Sequence, residues 1–270
     1  MHKVKPKKTL GQHFLKDQSV AEKIVKSIAS TNENILEIGP GMGILTNFLL
    51  QKNNINLKVI EIDAESVAYL QIKYPSLQII AGDFLKLNVE ELCGSPLTVI
   101  GNFPYNISSQ ILFKILGNKD IVTEVVGMFQ KEVAARVASQ PGKKMYGILS
   151  VLLQVYYDIE YLFTVDETLF TPPPKVKSGV IRMVRNPQKK LNCNEVLFTN
   201  VVKTAFNQRR KTLRNSLKCF SFTDEYRNNP IFALRPEQLT VAQFEEICLF
   251  CTDEVINYHI NYLKKNIFAL

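Results

Sequence analysis

A doubly wound parallel α/β sheet followed by a small helical domain is the fold this sequence predicts, and three observations predict it. The aliphatic run Ile35-Leu36-Glu37-Ile38 passes straight into glycines at every second position, Gly39, Gly41 and Gly43, after which Ile44, Leu45, Phe48, Leu49 and Leu50 resume at helical spacing. Three further apolar runs, Leu57 to Ile62, Leu77 to Ala81 and Leu97 to Gly101, alternate with helical stretches and each closes on polar residues. Beyond Asn186-Pro187 the texture changes, and residues 194–270 keep helical periodicity with no strong strand.

Taken in order, the chain opens on a lysine-rich tail and then Gly11-Gln12-His13-Phe14-Leu15, a polar segment that either caps the next helix or folds over a ligand; nothing local decides between them. Val20, Ile24, Val25 and Ile28 follow at helical spacing, with Asp17 or Ser19 as N-cap. The first strand and its glycine turn come next, then a helix to about Lys52. In an α/β sheet such a turn lies outside the carboxyl end of the strand, where backbone without Cβ atoms can approach a ligand; glycines also occur there for packing alone. The second strand ends Glu61-Ile62-Asp63, and Glu61 lies 24 positions past Glu37, near the interval at which an acidic strand end accepts hydrogen bonds from a ribose. After a helix over 64–74, the third strand closes on Gly82-Asp83-Phe84. Asp83 is either a turn residue or an acceptor for an exocyclic amine, with Phe84 as an apolar neighbour for a purine face.

The fourth strand ends in Asn102-Phe103-Pro104-Tyr105. A helix over 107–116, a strand over 122–129, helices over 131–139 and 145–156 and a strand near 159–165 lead to Phe170-Thr171-Pro172-Pro173-Pro174-Lys175-Val176. Three prolines fix φ and remove donors, so this is a stiff extended loop with Phe170 held at its entrance. A last strand is expected over 180–184. These features divide the chain into a ligand-binding domain, residues 1–187, and a helical domain, residues 188–270.

At 270 residues with 46% hydrophobic and 21% charged content, the chain is long enough for a sizeable core and reads as folded, not disordered. No apolar stretch follows the amino-terminal lysines, and the longest apolar run, Ile148 to Tyr157, is broken by Ser150 and Gln154; a cytosolic protein is expected. Five scattered cysteines have no disulfide logic, and Cys248-x-x-Cys251 stands without a second pair, so no metal site is expected. Charge is informative through its placement. Lys3, Lys5, Lys7 and Lys8, with Lys203, Arg209, Arg210, Lys211, Arg214 and Lys218, make two acid-free patches that carry ten positive charges; against a net +8 the remainder is −2. That is either a solvated basic surface or the footprint of a phosphate-backbone binder.

Asn102-Phe103-Pro104-Tyr105 is the most discriminating stretch. An exocyclic adenine amine is a poor nucleophile because its lone pair is delocalised into the ring. Acceptors on its hydrogens, the Asn102 side-chain oxygen and the Phe103 carbonyl stiffened by Pro104, would favour a tetrahedral nitrogen, with Tyr105 stacking on the base. Catalysis is then positioning plus electrostatics, and the donor that suits the site is S-adenosylmethionine, with Glu61 on its ribose and Asp83 on its adenine. The turn is G-x-G-x-G, not the dinucleotide G-x-G-x-x-G, so no pyrophosphate is required. A target base must be unpaired or flipped out to reach such a pocket, and Phe170 is the natural second stacking face.

On Gly11 to Leu15, Glu37 to Gly43, Glu61 to Asp63, Gly82-Asp83, Asn102 to Tyr105 and Phe170 to Val176, in that order, the sequence resembles the rRNA adenine N6-dimethyltransferases, and most closely their small-subunit (16S rRNA) branch. The resemblance implies a class I (Rossmann-like) methyltransferase sheet with a small all-helical C-terminal domain. It implies S-adenosylmethionine as cofactor, without a metal, held by His13, Leu15, Gly39, Gly41, Glu61, Ile62, Asp83, Phe84 and Asn102. It places Asn102, Phe103, Pro104, Tyr105 and Phe170 at the target adenine, with Tyr105 and Phe170 flanking the flipped base. The expected products are two adjacent N6,N6-dimethyladenosines near the 3′ end of the small-subunit rRNA. Phe103 stands where the family more often has Leu or Ile, which matters little to a backbone carbonyl. Lys7, Lys8, Lys175, Arg209, Arg210, Lys211 and Arg214 are the expected RNA contacts, with one or two arginines pairing with acids between the domains instead. Arg209 to Leu217, with Leu234 to Leu239 and Phe244, resembles the small-subunit branch and not the large-subunit resistance methyltransferases that share the first domain. The expected partner is 16S rRNA in an immature small subunit, met in the cytoplasm by a monomer.

Overall fold

The computed structural model describes residues 4–252; His2, Lys3, His259 and the last part of the helical stretch lie outside the described residues. The chain runs β1 (Phe14–Leu15), α1 (Gln18–Lys26), β2 (Asn34–Ile38), α2 (Ile44–Leu49), β3 (Asn56–Glu61), α3 (Ala64–Lys73), β4 (Gln78–Ala81), α4 (Val89–Cys93) and β5 (Leu97–Asn102). It continues through α5 (Ser108–Gly117), β6 (Val122–Gln130), α6 (Lys131–Val137), α7 (Ile148–Gln154), β7 (Tyr157–Val165), β8 (Phe170–Thr171) and β9 (Ser178–Arg185). Helices α8 (Glu195–Asn207), α9 (Leu213–Ser216), α10 (Asp224–Arg227) and α11 (Val241–Leu249) follow among the described residues.

Seven strands form one sheet in the order β4-β3-β2-β5-β6-β9-β7. Strands β2 to β6 pair in parallel, and their central members are buried on both faces, which is why Ile35 to Ile38 and Leu97 to Ile100 read as mostly apolar runs, broken by the buried Glu37 and Thr98, and not as alternation. Strand β9 departs from the expected parallel sheet: it runs antiparallel to both β6 and β7. The connection from β7 to β9 carries no crossover helix, and without one a chain returning to the same sheet must reverse direction. The N-cap expectation for α1 resolves to Asp17, whose carboxylate accepts the Val20 amide at 2.9 Å.

A two-stranded pairing outside the main sheet was not visible in the sequence. Strand β1 lies antiparallel to β8, Phe14 opposite Thr171 and Leu15 opposite Phe170, so the segment before α1 is sewn to the start of the proline-rich loop. The chain divides into two compact units. One comprises the residues up to Ala138 together with Tyr157–Asn186; the other comprises Ser139–Tyr156 and the residues from Pro187 onward. The boundary expected at 187 therefore has two further crossings before it, after Ala138 and after Tyr156, because the segment around α7 packs with the helical unit. Within that unit the Gly142 amide donates to the Glu237 carbonyl at 2.7 Å, and the Tyr146 ring meets Phe206 edge-on at 6.2 Å.

Candidate active site

From β2 the chain winds outward to β3 and β4, then returns to β5 on the other side of β2 and continues to β6. The carboxyl ends of β2 and β5 thus flank a topological switch point, where loops splay apart and leave a crevice. An open cleft lies there, walled by the tips of β2 to β5 and by Leu10 to Phe14.

At the β2 tip, Gly39 and Gly41 both take positive φ, 68° and 57°, which a side chain rarely tolerates. They differ in what faces them. A Cβ on Gly41 would meet the Phe14 ring at 2.8 Å, so this glycine serves packing; before Gly39 the nearest atom is Pro104 Cδ at 4.0 Å, leaving room for a ligand. The Glu61 carboxylate at the β3 tip is buried and takes two backbone donors, the Gly41 amide on Oε2 at 3.1 Å and the Asp63 amide on Oε1 at 2.9 Å. Burial pushes its pKa up, against the pull of those donors. Each oxygen retains a lone pair for a further donor. Ile62 beside it is 55% exposed, an apolar face offered to the cleft. At the β4 tip Asp83 is a turn residue, its Oδ1 accepting the Leu85 amide at 2.9 Å, and it also lines the cleft above buried Phe84.

The β5 tip is fixed from several directions. The Asn102 Nδ2 donates to the His13 carbonyl at 2.9 Å, which assigns the amide orientation and leaves Oδ1 free as an acceptor. The Phe103 amide donates to the Met128 carbonyl at 3.0 Å, and its ring is buried against Phe129 and over Gly101 and Gly127, which face each other across β5 and β6. With the ring buried, what Phe103 contributes to the cleft wall is backbone. Tyr105 shares a 2.5 Å hydrogen bond with Ser178 and stacks on His13 at 5.5 Å, while His13 Nδ1 lies 2.8 Å from the Pro172 carbonyl.

The cleft brings together His13, Gly39, Gly41, Glu61, Ile62, Asp83, Phe84 and Asn102 to Tyr105, residues spread over more than ninety positions of sequence. The alternative left open at Gly11 to Leu15 resolves toward a cover, since Gly11 to Phe14 line the cleft and Leu15 lines a smaller adjoining one. Phe170 is a correction. It is 1% exposed, paired with Leu15 and packed in the core of the first unit, so it offers no face to the cleft. Lys7 is another: its ammonium is ion-paired with Asp63 and lies 3.9 Å from Glu65, so a lysine expected on phosphate is engaged beside the β3 tip. Arg209 pairs with Glu237 at 3.7 Å and donates to the Lys144 carbonyl at 2.7 Å, within the helical unit and not between domains. Lys8, Lys175, Arg210, Lys211 and Arg214 are exposed.

Sequence reasoning missed Glu37 as a titrating group. It is 1% exposed, accepts the Thr46 hydroxyl at 2.6 Å and lines the smaller cleft beside Gly39 and Asn102; burial raises its pKa to about 8. Its acidic character in a strand of aliphatics was the available signal. The folded protein holds this proton more tightly than the unfolded chain, whose carboxyl titrates near 4.5. Stability of the ligand-free protein should therefore fall as pH rises from about 4.5 to 8, by at most about 1.4 kcal/mol per pH unit. Glu37→Gln keeps an acceptor for Thr46 and removes the titration, so melting curves between these pH values should lose that slope.

A doubly wound sheet that opens a cleft at its switch point, with a turn that requires no pyrophosphate, belongs to the class I methyltransferase fold. Solved structures agree on the fold. A dimethyladenosine transferase from Plasmodium falciparum superimposes with a TM-score of 0.74 over 88% of this chain and 96% of its own, and a 23S rRNA methyltransferase, ErmE, with 0.67 over 87% and 99%; both are 24% identical. Within that class the chain belongs to the ribosomal RNA adenine dimethylase family, whose profile matches residues 3–247. Its relatives include the ribosomal RNA small subunit methyltransferase A of Bacteroides thetaiotaomicron, 58% identical over 249 residues that cover 90% of this chain and 93% of that one. The protein of the same name from Cytophaga hutchinsonii is 54% identical over 251 residues, 92% of this chain and 97% of its own.

Proposed function

We propose that the chain transfers methyl groups from S-adenosylmethionine to the N6 atoms of two adjacent adenosines in a hairpin near the 3′ end of 16S rRNA, giving N6,N6-dimethyladenosine during small-subunit biogenesis. The observation that carries the reading is the orientation of Asn102. With its NH₂ committed to the His13 carbonyl, its oxygen is the acceptor available to an adenine amine at the β5 tip.

The residues present fit the donor. The remaining lone pairs of Glu61 suit the ribose diol, Asp83 the adenine edge, Ile62 the adenine face, and the gap before Gly39 the close approach of the ligand to backbone. When bound, the donor supplies a methyl group already activated on a sulfonium. The chain's own part is to prepare the nucleophile. In the first transfer Asn102 Oδ1 and the Phe103 carbonyl accept the two N6 hydrogens, and in the second one of them accepts the single hydrogen that remains, drawing the nitrogen toward a tetrahedral geometry with its lone pair directed at the donor; one proton leaves to solvent after each transfer. Tyr105 supports the base from one side.

The likeness to solved structures does not choose between small- and large-subunit substrates, since both neighbours share the fold at equal identity. The relatives that are more than half identical over nine-tenths of the chain support the small subunit. The protein acts on an immature particle, as a monomer, in the cytoplasm. Incubating it with radiolabelled S-adenosylmethionine and separated ribosomal subunits from cells lacking the gene tests the reading: dimethyladenosine confined to the small subunit is expected, and label in the large subunit would overturn the choice.

Exposed Arg210, Lys211 and Arg214 are the phosphate contacts proposed for the helical unit. Replacing all three by alanine should weaken rRNA binding regardless of sequence and reduce the slope of log K against log salt concentration by about 2 to 3, read from titrations at several salt concentrations. Arg209→Ala, already tied to Glu237 and Lys144, should leave that slope nearly unchanged.

A further inference from the structure

We propose that Ser178 is a positioning residue for the target base: its buried hydroxyl fixes the Tyr105 ring as the stacking platform at the mouth of the cleft. The inference rests on the methyl-transfer reading above and extends it to a residue outside the strand tips.

Ser178 is fully buried at the start of β9, where its backbone pairs with Gln130 of β6 on one side and Val165 of β7 on the other. A hydroxyl in such a position must find a partner or cost stability, and its partner is the Tyr105 hydroxyl at 2.5 Å. Tyr105 opens the short turn after Pro104, and its own segment does not hold the end of the ring. Two supports come from elsewhere in the chain: Ser178 at the hydroxyl and His13 against one face, 5.5 Å away at an interplanar angle of 27°. His13 is in turn tied to the Pro172 carbonyl at 2.8 Å, at the head of the loop that ends in Ser178. The proline-rich loop thus grips Tyr105 through both of its ends. A ring held at its tip and on one face has its remaining face in a set orientation, and a base stacking there has its amine placed against Asn102. Stacking of this kind pays off only if the platform does not have to be ordered when the base arrives. With Phe170 buried in the core, Tyr105 is the one of the two expected flanking aromatics that lines the cleft.

The experiment is a double-mutant cycle of Ser178→Ala and Tyr105→Phe, each removing one partner of the same hydrogen bond. We expect kcat for methyl transfer to small-subunit rRNA to fall about tenfold in either variant and no further in the double variant. Affinity for S-adenosylhomocysteine should stay within about twofold of wild type in all three, which a general loss of structure would not allow. Wild-type kcat in Ser178→Ala, effects that multiply in the double variant, or a parallel loss of S-adenosylhomocysteine binding would each overturn the positioning role. An inactive wild-type protein would overturn the methyl-transfer reading and this inference together, whereas the first three outcomes leave that reading standing.

Discussion

Replacing Asn102 by alanine is expected to lower kcat for rRNA methylation by about a thousandfold, the scale seen when one preorganised polar group at a reacting atom is removed. The side chain is doubly committed: Nδ2 on the His13 carbonyl at 2.9 Å, Oδ1 toward the cleft. Alanine removes the acceptor and unties the cover segment in one step. Asn102→Asp is the sharper test. It keeps size and an acceptor oxygen, yet it sets an oxygen against the His13 carbonyl where an NH₂ stood, so repulsion replaces the tether. The aspartate variant should therefore lose nearly as much kcat as alanine in single-turnover transfer. Activity within about tenfold of wild type would mean that any acceptor suffices and that the amide's orientation is irrelevant.

What made the site legible is that its residues sit at strand ends. A parallel strand covered on both faces is mostly apolar, so Glu61 and Asn102, which end β3 and β5, stand out against the runs they close, and Asp83 does the same just past edge strand β4; all three fall on one edge of the sheet. What escaped depends on partners remote in sequence. Strands β1 and β8 are two residues each, too short for any periodicity, and lie about 155 positions apart. The burial of Phe170 follows from that pairing and was invisible with it. Lys7 reads as one of four lysines in an acid-free tail, but its acid is Asp63, 56 positions on; a local charge count measures composition, not pairing. The stretch around α7 resembles its flanks in apolar content, so nothing marks it as part of the helical unit. Glu37 was quoted within the glycine motif, yet only the packing around it shows that its carboxyl is shielded from water and holds its proton.

Glu61→Ala should weaken S-adenosylhomocysteine binding by at least about a hundredfold, and more than a lost ribose contact is at stake. Both Glu61 oxygens already organise backbone: Oε2 takes the Gly41 amide of the glycine turn and Oε1 the Asp63 amide that leads into α3. Alanine orphans both donors, so the glycine turn that carries Gly39 and Gly41 loosens as the ribose acceptor disappears, and a loss of about 1 to 3 kcal/mol in stability should accompany the loss of affinity. Glu61→Gln does not rescue. Its NH₂ must face one of the two backbone amides, donor against donor, and calorimetry should find its affinity nearer to that of alanine than to wild type. Neither change touches Arg210, Lys211 or Arg214, so rRNA binding and its salt slope should persist in Glu61→Ala below its melting temperature. That separation weighs the methyl group against occupancy of the immature subunit. In a strain lacking the gene, a Glu61→Ala protein that binds but does not methylate should complement poorly if the modification is what the particle needs. Full complementation would mean that binding and release carry the function and that the cleft at the switch point serves a dispensable reaction.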